Sequence, residues 1–173
     1  EIMLSSSLNK ENSKKYLKAI YEIAKHAGIY GMIGGQVVDV ESENKIIDKD
    51  KLDFIHLNKT AAMIIGCMRA GAIMGNACED DLQNITKYAK NIGLAFQIVD
   101  DILDIVGDEK ALGKPVGSDI ENHKSTYPSL IGLDESKKVA TDLIKEAKDS
   151  IRKISGESRF LEDLADYIIS RDH

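Results

Sequence analysis

Proline stops helices more firmly than any other residue, and this chain of 173 residues has only two, Pro115 and Pro128, both inside the stretch 107–128. A proline lacks an amide donor and its ring collides with the preceding turn. Everything outside that stretch is therefore open to helix, and there the apolar residues recur at three- and four-residue spacing, the period of a helix with one buried face. The spacing predicts helices over 9–27, 30–43, 52–75, 80–107, 135–154 and 158–169, with one long structured loop over 107–128. Gly28 and Gly156 read as helix-end punctuation. The expected fold class is all-α.

The last two segments are amphipathic in the ordinary way. Leu143, Ala147, Ile151 and Ile154 share one stripe, and Phe160, Leu161, Leu164, Ala165, Ile168 and Ile169 share another. By contrast, 61–75 and 92–106 are apolar nearly all round, which predicts central helices enclosed by others, and Gly66, Gly71 and Gly75 are expected to let one of them be approached closely. With 43% hydrophobic residues the chain supports one core, and no repeat, linker or low-complexity stretch divides it, so a single domain is expected over 1–173. A net charge of −6 without a basic stripe argues against nucleic acid as a partner, because phosphate-backbone binding needs clustered Lys and Arg. The run 61–75 is too short to span a bilayer and contains Arg69, so no membrane insertion is expected. Cys67 and Cys78 fit neither a metal knuckle nor a disulfide framework and are expected to be reduced packing residues of a soluble, cytoplasmic protein. Position 1 is Glu rather than Met, which leads to the expectation that the sequence is a piece of a longer protein.

One apolar run carries three carboxylates. In "FQIVDDILDIV" Asp100, Asp101 and Asp104 stand at i, i+1 and i+4, so Asp100 and Asp104 are expected on one helical face with Asp101 flanking them. Val99, Ile102, Leu103, Ile105 and Val106 draw that helix into the core, where neighbouring like charges need a cation. An arbitrary Asp-x-x-x-Asp pair is more often a solvated helix end. Here it is followed by "GDEKALGKPVGSDIENHKSTYP", a glycine-rich loop with Lys110, Lys114 and Lys124, and loops of that length in compact domains usually serve function. Carboxylates opposite lysines suit a Mg²⁺–diphosphate complex, since Mg²⁺ takes one or two carboxylates plus waters and phosphate oxygens, while Lys supplies point charges. Other candidates are weaker. Glu79, Asp80 and Asp81 open a helix, where acidic side chains complement the N-terminal dipole. His26, His56, His123 and His173 lack ligand spacing, and no Walker loop, nucleophile elbow or EF-hand pattern occurs.

These residues resemble the trans-type polyprenyl diphosphate synthases. "FQIVDDILD" looks like the family's second Asp-rich motif and "GKPVGSDIENHKSTYP" like its lysine loop, while "GMIGGQVVDVESE", "IHLNKTAAMI" and "LADYIISRDH" resemble three further segments. The resemblance implies antiparallel helices around a deep central cavity. It implies a head-to-tail condensation of isopentenyl diphosphate with an allylic diphosphate, dimethylallyl or geranyl, assisted by Mg²⁺. The expected product is farnesyl diphosphate, with geranylgeranyl diphosphate as the alternative, and the expected assembly is a homodimer.

By matching positions, the resemblance makes Asp100 a direct Mg²⁺ ligand, with Asp101 and Asp104 acting directly or through metal-bound water. Lys59, Lys114 and Lys124 would contact the allylic diphosphate, Thr60 and Gln97 would sit beside the ionising carbon, and Gln36 and Asp39 would line the same cavity. Phe96 reads as cavity wall or core, and Arg171 would help close the site over isopentenyl diphosphate. The family's first Asp-rich motif, the Arg pair after it, and the Lys, Arg and His that grip isopentenyl diphosphate are not found among these residues. The sequence therefore reads as the C-terminal portion of a synthase, inactive alone, or alternatively as a non-catalytic partner subunit of a complete synthase.

Overall fold

The computed structural model describes residues 2–7, 13–106 and 124–171. Among these the regular elements are all helical. They are α1 (Ile2–Ser7), α2 (Ser13–Ala27), α3 (Met32–Glu41), α4 (Lys49–His56), a π-helical turn (Leu57–Ala61), α5 (Ala62–Met74), α6 (Glu79–Val106), α7 (Tyr127–Ile131), α8 (Leu133–Ile151) and α9 (Arg159–Ser170).

α6 is the axis of the molecule. Its 28 residues bury Ile85, Tyr88, Ile92 and Ala95 in one half and Ile98, Val99, Ile102 and Leu103 in the other. Each half faces a different part of α8: Ala140 lies with Ile98–Leu103, whereas Ala147 and Ile151 lie with Ile85–Ala95. α8 therefore runs antiparallel to α6. α5 is antiparallel to it as well, since Ala61, just before α5, abuts Gly93 and Arg69 bonds Thr86. α2 in turn opposes α5, with Glu22 on Arg69 and His26 against Gly66. α9 runs alongside α6, from Leu161, whose carbonyl accepts from the Tyr88 hydroxyl at 2.7 Å, to Arg171 beside Phe96. The result is an up-and-down bundle whose two core clusters stack along a single helix.

Most predicted helices agree with the observed ones to within a few residues, and Glu79, Asp80 and Asp81 do open α6. The predicted 52–75 helix is different. It divides into α4, the π turn and α5, and the Ala62 amide reaches the Leu57 carbonyl five residues back. Two glycines account for the detour. A Cβ on Gly93 would stand 2.6 Å from the Ala61 Cβ, and one on Gly35 would stand 2.7 Å from the Asn58 carbonyl carbon and overlap the Lys59 nitrogen. The turn is held between α3 and α6 at a separation only glycine permits. Of the glycines expected to allow close approach, Gly66 does so, with His26 Cβ 3.0 Å from a Cβ built on it, whereas Gly71 has nothing within 4 Å and Gly75 meets only the end of its own helix. Cys67 and Cys78 are free, as expected, but exposed rather than packed.

Pro128 belongs to a helix rather than to the loop. It sits in the first turn of α7, where its missing amide has no intrahelical partner to lose. Thr126 caps that turn reciprocally with Ser129. Residues 107–123 of the predicted loop, including Lys110, Lys114 and His123, lie outside the described residues.

Candidate functional site

A cavity of about 160 Å³ opens where α3, α4, the π turn, α6 and the stretch before α7 converge. Its apolar wall is Ile47, Leu52 and Ile55, and its polar wall includes Asp39, Glu43, His56, Lys59, Gln97, Asp100, Asp101 and Lys124. Six residues expected at a site from the sequence thus share one cavity: Asp39, Lys59, Gln97, Asp100, Asp101 and Lys124. The π turn brings in Lys59, whose ammonium donates to Asp39 Oδ2 at 2.6 Å, joining α3 to the turn.

Gln36, Thr60, Asp104 and Arg171 are not on the lining. Gln36 is exposed on α3. Asp104, one turn beyond Asp100, is only 1% exposed and does not reach that lining. Lys114 lies outside the described residues. Arg171 is not a solvated terminal side chain. Its guanidinium sits 4.0 Å from the centre of the Phe96 ring, donates to the Phe96 carbonyl at 3.0 Å and stands 3.6 Å from Asp100 Oδ1. Burial pulls its pKa down from the ordinary arginine value, and the Asp100 charge opposes that shift.

The sequence reading missed the residues that hold this wall in place. Asp101 Oδ2 accepts from the Tyr127 amide at 2.9 Å, across 26 residues of chain. Ser125 Oγ accepts from the Ile47 amide at 3.2 Å, and the Tyr127 hydroxyl donates to Asp53 on α4. Lys49 completes the corner, paired with Asp53 at 2.7 Å and 5.3 Å from the centre of the Tyr127 ring. His56 stacks on the same ring, centroids 5.8 Å apart. The Tyr127 pKa is pushed far above the ordinary tyrosine value by burial and by its bond to Asp53, so the phenol stays a donor. The "STYP" that follows Lys124 was the available signal, a polar cap and an aromatic at the start of a helix.

Among the described residues the lining carries four carboxylates, Asp39, Glu43, Asp100 and Asp101, and two lysines, Lys59 and Lys124. Counted over these described lining residues, the wall is net acidic. A bare diphosphate would be repelled by it, whereas a cation or a cation–diphosphate complex would be held. Among the described residues no three His, Cys, Asp or Glu side chains converge as a full metal cage. Mg²⁺ does not need one, since it keeps several waters and takes one or two carboxylates plus phosphate oxygens. Asp100 and Asp101, consecutive on α6 and both on the cavity lining, fit that requirement.

The sequence profile of the polyprenyl synthetase family matches residues 2–158, and the chain belongs to that family. It is 42% identical over 172 residues to the farnesyl diphosphate synthase of Bacillus subtilis, covering 99% of this chain and 58% of that protein. It is 40% identical over 158 residues to the geranylgeranyl diphosphate synthase of Cyanophora paradoxa, covering 91% of this chain and 53% of the relative. In three dimensions it is similar to a crystal structure of a geranyltransferase from Helicobacter pylori complexed with magnesium and isoprenyl diphosphate, with a TM-score of 0.77 and 26% identity over 96% of this chain and 54% of that one. The chain spans a little over half the length of these relatives, and their names carry two different products. Among the described residues no helix is long and apolar enough to cross a membrane.

Proposed function

We propose that this chain carries the diphosphate-gripping wall of a prenyltransferase that joins an allylic diphosphate to isopentenyl diphosphate, with farnesyl diphosphate as product and geranylgeranyl diphosphate as the alternative. The observation that carries the reading is that Asp100 and Asp101 share one cavity lining with Lys59 and Lys124, and that its described residues carry more acids than lysines. That charge pattern suits a ligand that arrives as a cation complex of a polyanion.

In this reading Asp100 and Asp101 hold Mg²⁺, and buried Asp104 acts at one remove. Bound Mg²⁺ would offset the charge that accumulates on the departing diphosphate. Lys59, Lys124 and the loop residue Lys114 grip the diphosphate oxygens as point charges. Asp39 orients Lys59 through its 2.6 Å bond until a stronger anion competes for it. Gln97, on the cavity lining, turns its amide oxygen toward the carbon where positive charge develops. Ile47, Leu52 and Ile55 exclude water that would quench that cation. Arg171, already 3.6 Å from Asp100, closes the site from the C-terminal side.

The test is calorimetric titration of the 173-residue chain with inorganic diphosphate, with and without Mg²⁺. Binding that requires Mg²⁺ and is lost in Asp100→Asn is the expected result. Binding indifferent to both, or no binding at all, overturns the reading.

A further inference from the structure

We propose that His56 is a positioning residue: it steers the Asp101 carboxylate onto the Tyr127 amide, and so fixes Lys124, three residues earlier, at the cavity. The proposal deepens the diphosphate reading and rests on it for its function, but its geometry stands independently.

Tyr127 is the first residue of α7, and the first amides of a helix have no intrahelical acceptor. Asp101 supplies one from α6, at 2.9 Å through Oδ2. His56 Nε2 lies 3.4 Å from the same oxygen, and it is buried with no hydrogen-bond partner among the described residues. A buried polar nitrogen left in that state costs free energy, and the site pays that cost at the one place where the nitrogen faces the carboxylate. With the proton on Nε2, the contact attracts Oδ2 and holds it on the Tyr127 side, which leaves Oδ1 as the oxygen Asp101 has for the cavity. The flat stack of His56 on the Tyr127 ring, 16° between planes, sets the imidazole's height against both partners. Lys124, Ser125 and Thr126 enter the cavity lining immediately before this anchor, so the direction of Lys124 follows from it.

This role separates from simple packing. His56→Phe keeps the ring, its volume and its stack on Tyr127 but deletes the nitrogen, and His56→Gln restores a nitrogen donor near the Nε2 position without the ring. Amide hydrogen exchange at Tyr127, measured on the 173-residue chain by NMR, is expected to quicken about tenfold or more in His56→Phe and to return toward the parental rate in His56→Gln. Unchanged exchange in His56→Phe, or equal acceleration in both variants, overturns the proposal. Calorimetry with Mg²⁺ and inorganic diphosphate gives a separate result: the affinity should weaken about tenfold in His56→Phe. If the parent binds no diphosphate, the functional reading fails, while the exchange rates still decide whether His56 positions Asp101.

Discussion

A Cβ on Gly35 would overlap the backbone nitrogen of Lys59, so α3 and the π turn touch main chain to main chain at the point where the turn delivers a cation to the cavity. Lys59 reaches Asp39 one turn further along the same helix, at 2.6 Å. The pairing of these two elements is therefore set by a missing side chain and used by a charged one.

Gly35→Ala should destabilise the fold by about 1–3 kcal/mol, the usual cost of overpacking, because the obstacle is backbone that cannot rotate away. In thermal melts followed by circular dichroism this corresponds to a fall of roughly 2–4 °C per kcal/mol for a chain of this size. Gly71→Ala is the control. Nothing lies within 4 Å of a Cβ there, and alanine favours helix, so its melting point should hold or rise. Equal effects at both positions would mean the close approach at Gly35 is not what shapes the turn.

Much of this organisation was legible in the sequence. The proline distribution and the helical period located the long helices, and the carboxylates inside an apolar run marked the cavity. The break at Leu57–Ala61 was invisible because a π turn keeps neighbouring apolar residues inside, and its cause, Gly35 and Gly93, lies on other helices. His56 and Tyr127 were missed for the same reason: they meet Asp101 only across tertiary space, with no ligand-like spacing along the chain. Asp104 was read onto the face of Asp100 by its spacing, which reports angle around the helix and not how far along it a cavity extends.

Asp100→Asn and Asp104→Ala should consequently fail in different ways. The first removes a charge from the cavity wall and should weaken Mg²⁺-dependent diphosphate binding by at least about tenfold with little change in melting. The second empties a site that is 1% exposed, leaving the groups that surround the carboxylate to rearrange, and should cost on the order of 2 kcal/mol of stability. Calorimetry and thermal melts on both variants separate the two roles, and a reversed pattern would put the cation on Asp104.

Stability against acid should depend on Glu22. Arg69 donates to both its oxygens at 2.9 Å, and that bond holds the Glu22 pKa below the ordinary 4.5. A carboxylate with a depressed folded pKa stabilises the protein above its unfolded value and loses that contribution as pH falls through the folded value. Glu22→Gln should thus be less stable than the parent by on the order of 2 kcal/mol in urea melts near about pH 7, and the difference should shrink below the ordinary value as the parent's Glu22 protonates. A difference that persists unchanged to about pH 3 would assign the effect to packing.

The 173-residue chain tested alone should form no prenyl product from geranyl and isopentenyl diphosphates. It spans 58% of the length of the Bacillus subtilis relative, and among the described residues the proposed metal-holding acids, Asp100 and Asp101, lie on a single cavity lining. Product detected by radiolabel transfer, from a preparation free of host synthase, would show that this wall suffices for both substrates.

Lys124 gives the sharpest choice between a solvated loop charge and a group on the leaving diphosphate. Exposed lysines change binding and stability by under about 1 kcal/mol when removed, because water screens them and their side chains are floppy. A lysine that meets charge developing on a leaving group inside a water-poor site is worth on the order of 3 kcal/mol, roughly a hundredfold in turnover. Lys124 is half-buried on the cavity lining, three residues before the anchored Tyr127 amide, which favours the second case. In a synthase of the relatives' full length that contains this chain, Lys124→Ala should keep its helical circular dichroism and lose turnover on the larger scale at saturating Mg²⁺, and Lys114→Ala should do the same. Near-parental rates and substrate affinities in both variants would make the segment before α7 a connector, and would move the diphosphate away from this wall.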